Sequence, residues 1–160
     1  VTLMLSLLTC FADLAFEKNI QLESPPIVWE KLSVSDKYIL VVDEANTQVW
    51  LLDLNGKQVS TLKDEYMQLP YKATWVPEEE RIYVYDAASR SFFLFRVDGT
   101  LDRKIQTDYD LLFQVGNLHK ATEGFIAPVS LTEGKFLIGF FDNEMKPQAF
   151  TYRLVSQDLA

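Results

Sequence analysis

Two stretches of this chain align without a gap at an offset of 43 residues. Residues 38–62 read YILVVDEANTQVWLLDLNGKQVSTL, and residues 81–105 read RIYVYDAASRSFFLFRVDGTLDRKI. Ile39 matches Ile82, Val41 matches Val84 and Asp43 matches Asp86. Leu51 matches Leu94 and Gly56 matches Gly99. A repeat of 40 to 50 residues restricts the fold to propellers or helical arrays.

The chemistry within the repeat decides between these two. Asn55-Gly56 and Asp98-Gly99 stand between apolar runs. Such pairs supply the positive φ angles of a two-residue type I′ turn, so each is expected to join two antiparallel strands. A second turn lies upstream of each, at residues 43–46 (DEAN) and 86–89 (DAAS). There Asp, Asn and Ser can bond to nearby backbone groups. No apolar stripe of helical period lies between the turns. The runs ILVV (39–42), VWLL (49–52) and FFLF (92–95) do not alternate with polar residues, which marks strands covered on both faces.

The expected fold is all-β: a partial β-propeller of three consecutive four-stranded antiparallel blades at about residues 27–62, 71–105 and 112–154. Strands are expected at 27–34, 38–43, 48–54 and 57–62. The second blade's fall at 71–76, 81–86, 91–97 and 100–105. The third is weaker, at 112–118, 124–129, 135–141 and 148–154. Leu137 falls 43 residues after Leu94, and Asp142-Asn143 stands roughly where Asn-Gly stood, with one residue added. Pro128 interrupts a strand to which it cannot donate. Residues 14–22 (LAFEKNIQL) read as one further strand.

The repeat pattern is an apolar tetrad, Asp, then Asn or Ser, a second apolar run and Asn/Asp-Gly. Over residues 22–154 it resembles the NHL-like six-bladed β-propellers, among them the "6-bladed beta-propeller" envelope proteins of Bacteroidetes. The resemblance implies a binding or scaffold module of the bacterial cell envelope, with a protein, peptide or glycan ligand at one mouth. A metal-dependent lactonase or lyase on the same scaffold is the alternative. Six units would need about 258 residues, and this chain has 160. Three blades cannot close a ring, so two apolar faces are expected to stay open. One would carry Ile39, Val41 and Leu51, the other Phe125, Leu137 and Phe140; the expectation is a fragment of a longer propeller, with self-association through these faces, packing against another chain or an open arc as the alternatives.

Composition narrows the partners. With 23 acidic and 15 basic side chains the net charge is −8. A phosphate backbone would be repelled, so nucleic acid is not expected as a partner. One cysteine forbids an internal disulfide framework or a cysteine-cluster metal site. Residues 1–12, VTLMLSLLTCFA, are uncharged and apolar but too short to span a bilayer. They resemble the end of a signal peptide, with Cys10 and Ala12 at the −3 and −1 positions of a cleavage site, or with Cys10 as the lipid-attachment residue of a membrane tether. Export to the periplasm or outer membrane follows from that reading. Without a signal the chain would be cytoplasmic.

No catalytic, metal or cofactor site is expected. His119, the only histidine, would have to serve a triad with Ser130 or Ser156, and no Gly-x-Ser-x-Gly elbow surrounds either serine. It is expected to face solvent. Asp43 and Asp86 recur at one place in the repeat, which fits a turn role better than catalysis or metal binding. No glycine-rich phosphate loop is present. Glu78-Glu79-Glu80 is expected as a solvated loop tip that blunts edge pairing. Trp50 and residues 92–95 read as core between blades, while Tyr66 and Tyr71 are free to contact a ligand.

Overall fold

The computed structural model describes residues 31–107, 118–130 and 135–154. All regular elements among them are β-strands, arranged as three four-stranded antiparallel sheets with strands in sequential order. The first sheet holds β1 (Leu32–Val34), β2 (Tyr38–Asp43), β3 (Gln48–Asp53) and β4 (Gln58–Leu62). The second holds β5 (Pro70–Val76), β6 (Arg81–Asp86), β7 (Ser91–Phe95) and β8 (Leu101–Gln106). The third holds β9 (His119–Ala121), β10 (Gly124–Ser130), β11 (Lys135–Phe141) and β12 (Pro147–Leu154). Residues 1–30, with Cys10 and the strand expected at 14–22, lie outside the described residues.

Each sheet is a blade, and the apolar runs of the second blade are buried because a neighbouring blade covers each of its faces. Side chains alternate across the pleat. Leu40, Val42, Val49 and Leu51 of the first blade meet Trp75, Ile82, Val84, Phe93 and Phe95 of the second. Tyr83, Tyr85, Phe92 and Leu94 point the other way, onto Leu118, Phe125, Ala127, Phe141 and Met145 of the third. The run 92–95 thus serves two interfaces at once. Trp50 does not; it packs with Ile39, Val41, Leu52 and Leu32 on the far side of the first blade.

The hairpins differ from expectation in one respect. Gly56 and Gly99 have φ of 82° and 90°, but Asn55 and Asp98 are not among the positive-φ residues, so the turns are not type I′. Gly56 N–H donates to Asp53 O, and Asp53 N–H donates to Lys57 O, both at 2.9 Å. Arg96, Gly99 and Thr100 repeat the pattern at 2.9 and 3.0 Å. This is the three-residue loop, a type I turn followed by a glycine bulge, in which only the last loop residue needs φ > 0.

The third blade uses the same loop with Met145 in the glycine position, at φ 60°. Met145 N–H donates to Asp142 O, and Asp142 N–H to Lys146 O. Its side chain is buried in the core between the second and third blades, and this burial offsets the left-handed backbone.

The third blade also departs from the 43-residue offset. Ile82 pairs with Phe95, and its counterpart Phe125 pairs with Phe141 rather than with Ile138. Three extra residues therefore lie in the β10–β11 hairpin, and Phe140, not Leu137, occupies the place of Leu94. The inner strand is corrected too: it is β9 at His119–Ala121, while 112–117 fall outside the described residues. Described β9 pairs only with Gly124–Ile126, so Pro128 lies past it and costs that pairing no donor.

The expected open faces need a larger correction. Leu51 and Phe125 lie inside blade interfaces. Ile39, Val41 and Leu52 are 8%, 0% and 2% exposed, so these positions of the first blade's outer face are buried, while Val34, paired with Ile39 on the same face, is 58% exposed. On the third blade Phe140 is 37% exposed, and Leu137 lies at a position whose side chain is not described.

Candidate functional site: the mouth at the inner strands

The first strand of each blade forms the edge nearest the axis, and these strands converge. β5 packs against β1, β2 and β3 of the preceding blade. Leu118 N–H reaches Thr74 Oγ1 at 3.5 Å, tying β5 to the start of β9. The pairing registers place Ser33, Thr74 and His119 at one position of the repeat, and Val34, Trp75 and Lys120 at the next.

These strands and their turns enclose an open cleft of about 280 Å³, lined by residues 33–36, 74–78 and 118–120. Its lining residues include the exposed Asp36, Glu78 and His119, with Ser35, Lys120 and the buried Ser33, Thr74 and Trp75. Trp75 stands edge-on to Tyr38, with centroids 4.9 Å apart, and Lys37 Nζ lies 5.8 Å from its ring centre. The indole N–H of Trp75 is buried and has no acceptor among the described residues. An unpaired buried donor of this kind costs about 1–3 kcal/mol.

One side of the cleft is held by a polar clamp between blades. Lys120 Nζ donates to Glu79 Oε1 at 2.7 Å and to Asn143 Oδ1 at 2.6 Å, and lies 4.2 Å from the Phe125 ring centre. The Tyr83 hydroxyl donates to Glu79 Oε2 at 2.5 Å. Burial pushes the Glu79 carboxyl upward, but the bonds from Lys120 and Tyr83 outweigh it and hold the group below the usual range. Burial, then the Glu79 bond, pushes the Tyr83 hydroxyl upward. The acidic turn is therefore only partly a solvated tip: Glu78 and Glu80 are exposed, whereas Glu79 joins two blades. Sequence reading missed this because Lys120 is 41 residues away.

The recurring aspartates hold turns. Asp43 Oδ1 accepts the Asn46 N–H, and its Oδ2 accepts the Asn46 and Gln48 amides. Asp86 is fully buried. Its Oδ1 accepts the Ser89 N–H at 2.7 Å, and its Oδ2 accepts those of Gln68 and Leu69 at 2.8 and 2.6 Å. It thereby fastens the connection between the first and second blades. Both turns lie at the end of the molecule opposite the cleft.

Tyr66 is exposed, with Lys104 Nζ 5.8 Å from its ring centre. Tyr71 is half-buried, with Lys31 Nζ 3.6 Å from its ring centre. No three His, Cys, Asp or Glu side chains converge on a point among the described residues. Ser130 is described only in its backbone, and Ser156 and Cys10 lie outside the described residues.

Comparison with solved structures identifies the architecture. The chain is similar to the WD40 β-propeller domain of Doa1, with a TM-score of 0.53 and 16% identity, over 74% of this chain and 38% of that one. It is similar to the Neurospora crassa Pan2 WD40 domain, with a TM-score of 0.52 and 13% identity, over 76% and 35%. The chain thus spans little more than a third of the length of either. No family model and no curated protein sequence matches it. The likeness establishes a partial β-propeller.

Proposed function

We propose that this chain belongs to a non-catalytic binding propeller that takes a protein or peptide segment at the mouth of residues 33–36, 74–78 and 118–120. The observation that carries this reading is the convergence of three blades on one open cleft lined by the exposed Asp36, Glu78 and His119. Asp36 and Glu78 are exposed there, and Glu78 extends an acidic turn. Charge complementarity favours a basic segment over an acidic one. The same propeller scaffold hosts many activities, so the ligand is argued from the cleft alone.

The test is titration of the purified chain with basic, neutral and acidic peptides and with neutral oligosaccharides. Saturable, salt-sensitive binding of the basic peptide, weakened by Asp36→Lys with Glu78→Lys and unchanged by Tyr66→Ala at the opposite end, is expected. Preference for an oligosaccharide, or binding indifferent to the two charge reversals, overturns the reading. Membership of the NHL-like group and placement in the bacterial envelope are part of the same proposal. They rest on the repeat pattern and on residues 1–12. Fractionation of a Gram-negative host, with mass measurement of the N-terminus, tests the second: cleavage after Ala12 or lipid on Cys10 is expected, and an intact cytosolic chain overturns it.

A further inference from the structure

We infer that Lys31 and Lys72 form a binding site for a small oxyanion, a phosphate or carboxylate group, at the end of the molecule opposite the cleft. Lys31 leads into β1 and Lys72 lies near the start of β5, and these two inner strands pack together. The register of β5 on β6 shifts between them. Pro70 pairs with Asp86 and Lys72 with Tyr85, which leaves Tyr71 as the extra residue of a bulge. A bulge re-aims the side chains around it. Here the Tyr71 ring meets Lys31 of the preceding blade, whose Nζ lies 3.6 Å from the ring centre.

Charge at this place does not balance. The Lys31 side chain is 9% exposed, and its ammonium donates to the carboxylate of Glu44, whose side chain is 38% exposed. Lys72 is half-buried, and no carboxylate pairs with it among the described residues. Burial, then the charge of Lys31, pushes its amine downward. Asp43 and Asp86, also at this end, are spent on their turns and on the connection between blades. Two cations therefore share one carboxylate in a half-buried place, within a chain of net charge −8. A partly buried cation without a counter-charge is costly, and an oxyanion that accepts from both ammonium groups removes that cost. The surplus is one positive charge flanked by Glu44, which suits a single small anionic group and repels a long polyanion.

Trace acetylation of the 160-residue chain, followed by peptide mass measurement, reads each lysine separately. Inorganic phosphate, acetate and chloride are compared at equal ionic strength. The bound oxyanion, at about ten times its dissociation constant, should slow acetylation of Lys72 about tenfold, in proportion to the fraction of sites left free. Lys104, an exposed lysine beside the Tyr66 ring, should not be slowed. Protection by phosphate alone assigns a phosphate group, and equal protection by acetate assigns a carboxylate. The protecting anion should also raise the melting temperature more than chloride does, in the wild type and in Lys72→Arg. It should not do so in Lys72→Met or Lys31→Met, which keep an apolar stem and lose the charge. If a Met variant fails to fold by circular dichroism, the wild-type labelling decides alone. The inference is overturned if neither oxyanion protects Lys72 beyond chloride, if Lys104 is protected equally, or if folded Lys72→Met keeps the anion-dependent rise. Asp36→Lys with Glu78→Lys at the cleft should leave the protection unchanged, so this inference and the peptide reading fail separately.

Discussion

At the scale of single residues, the repeated aspartates show one side chain carrying different loads. Asp43 bonds only within its own turn, whereas Asp86 accepts three backbone N–H groups, two from the connection that precedes its blade. Removing Asp86 leaves three donors with no acceptor in a buried place. Asp86→Ala is expected to destabilise by about 3 kcal/mol or more, and Asp43→Ala by about 1 kcal/mol or less. Urea midpoints of the two variants check this, and equal shifts would count against the connection's dependence on Asp86. A sequence alignment of the two repeats makes the two residues look equivalent. Their difference lies in Gln68 and Leu69, which sit 18 and 17 residues from Asp86.

At the scale of elements, the hairpins turn on which loop residues take positive φ. Gly99 has φ 90°, and a Cβ there would stand 2.9 Å from the Thr61 carbonyl oxygen of β4. Gly124 has φ 98°, and a Cβ there would stand 1.9 Å from the Phe141 carbonyl oxygen. Gly99→Ala is expected to cost about 1–2 kcal/mol. Gly124→Ala should cost more, because backbone of the neighbouring strand must move. Thermal melts rank the two, and a milder effect at Gly124 would refute the β9–β10 geometry. In the four-residue loops between β2 and β3, β5 and β6, and β6 and β7, the last residue takes the left-handed conformation without being glycine: Thr47, Glu80 and Arg90. Thr47 is β-branched, so Thr47→Gly is expected to raise stability by about 0.5–1 kcal/mol, read as a higher melting temperature.

At the scale of the whole molecule, the blades are joined by apolar faces and by the Glu79 clamp. A carboxylate whose folded pKa lies below its unfolded value adds stability above the unfolded pKa and loses it as pH falls through the folded one. Glu79 is held below its ordinary value of 4.5. Its contribution, about 1 kcal/mol or less for a partly exposed pair, should therefore be full at neutral pH and fade as pH falls below about 4.5. Glu79→Gln should lower the melting temperature at pH 7 and flatten its fall toward acid. A wild-type melting curve no steeper below pH 4.5 than that of the variant would show that the clamp contributes nothing.

The sequence alone carried the fold class, ten of the strand positions to within a residue or two, and the positive φ at Gly56 and Gly99. These follow from local causes: an apolar run covered on both faces, and turns that few residue types can make. It did not determine which way each strand faces, because a continuous apolar run carries no period to mark its two sides. Leu51 and Ile39 look alike in the sequence, yet one meets the second blade and the other turns away from it. The third blade was legible only in outline, since three residues added to one hairpin shifted Phe140 into the place of Leu94 and left Leu137 there only by count. The cleft and the Glu79–Lys120 clamp belong wholly to the tertiary structure. Both are made where separate blades meet, and the stacking of successive blades brings residues about 40 apart in the chain into contact, a distance at which no local pattern records a partner.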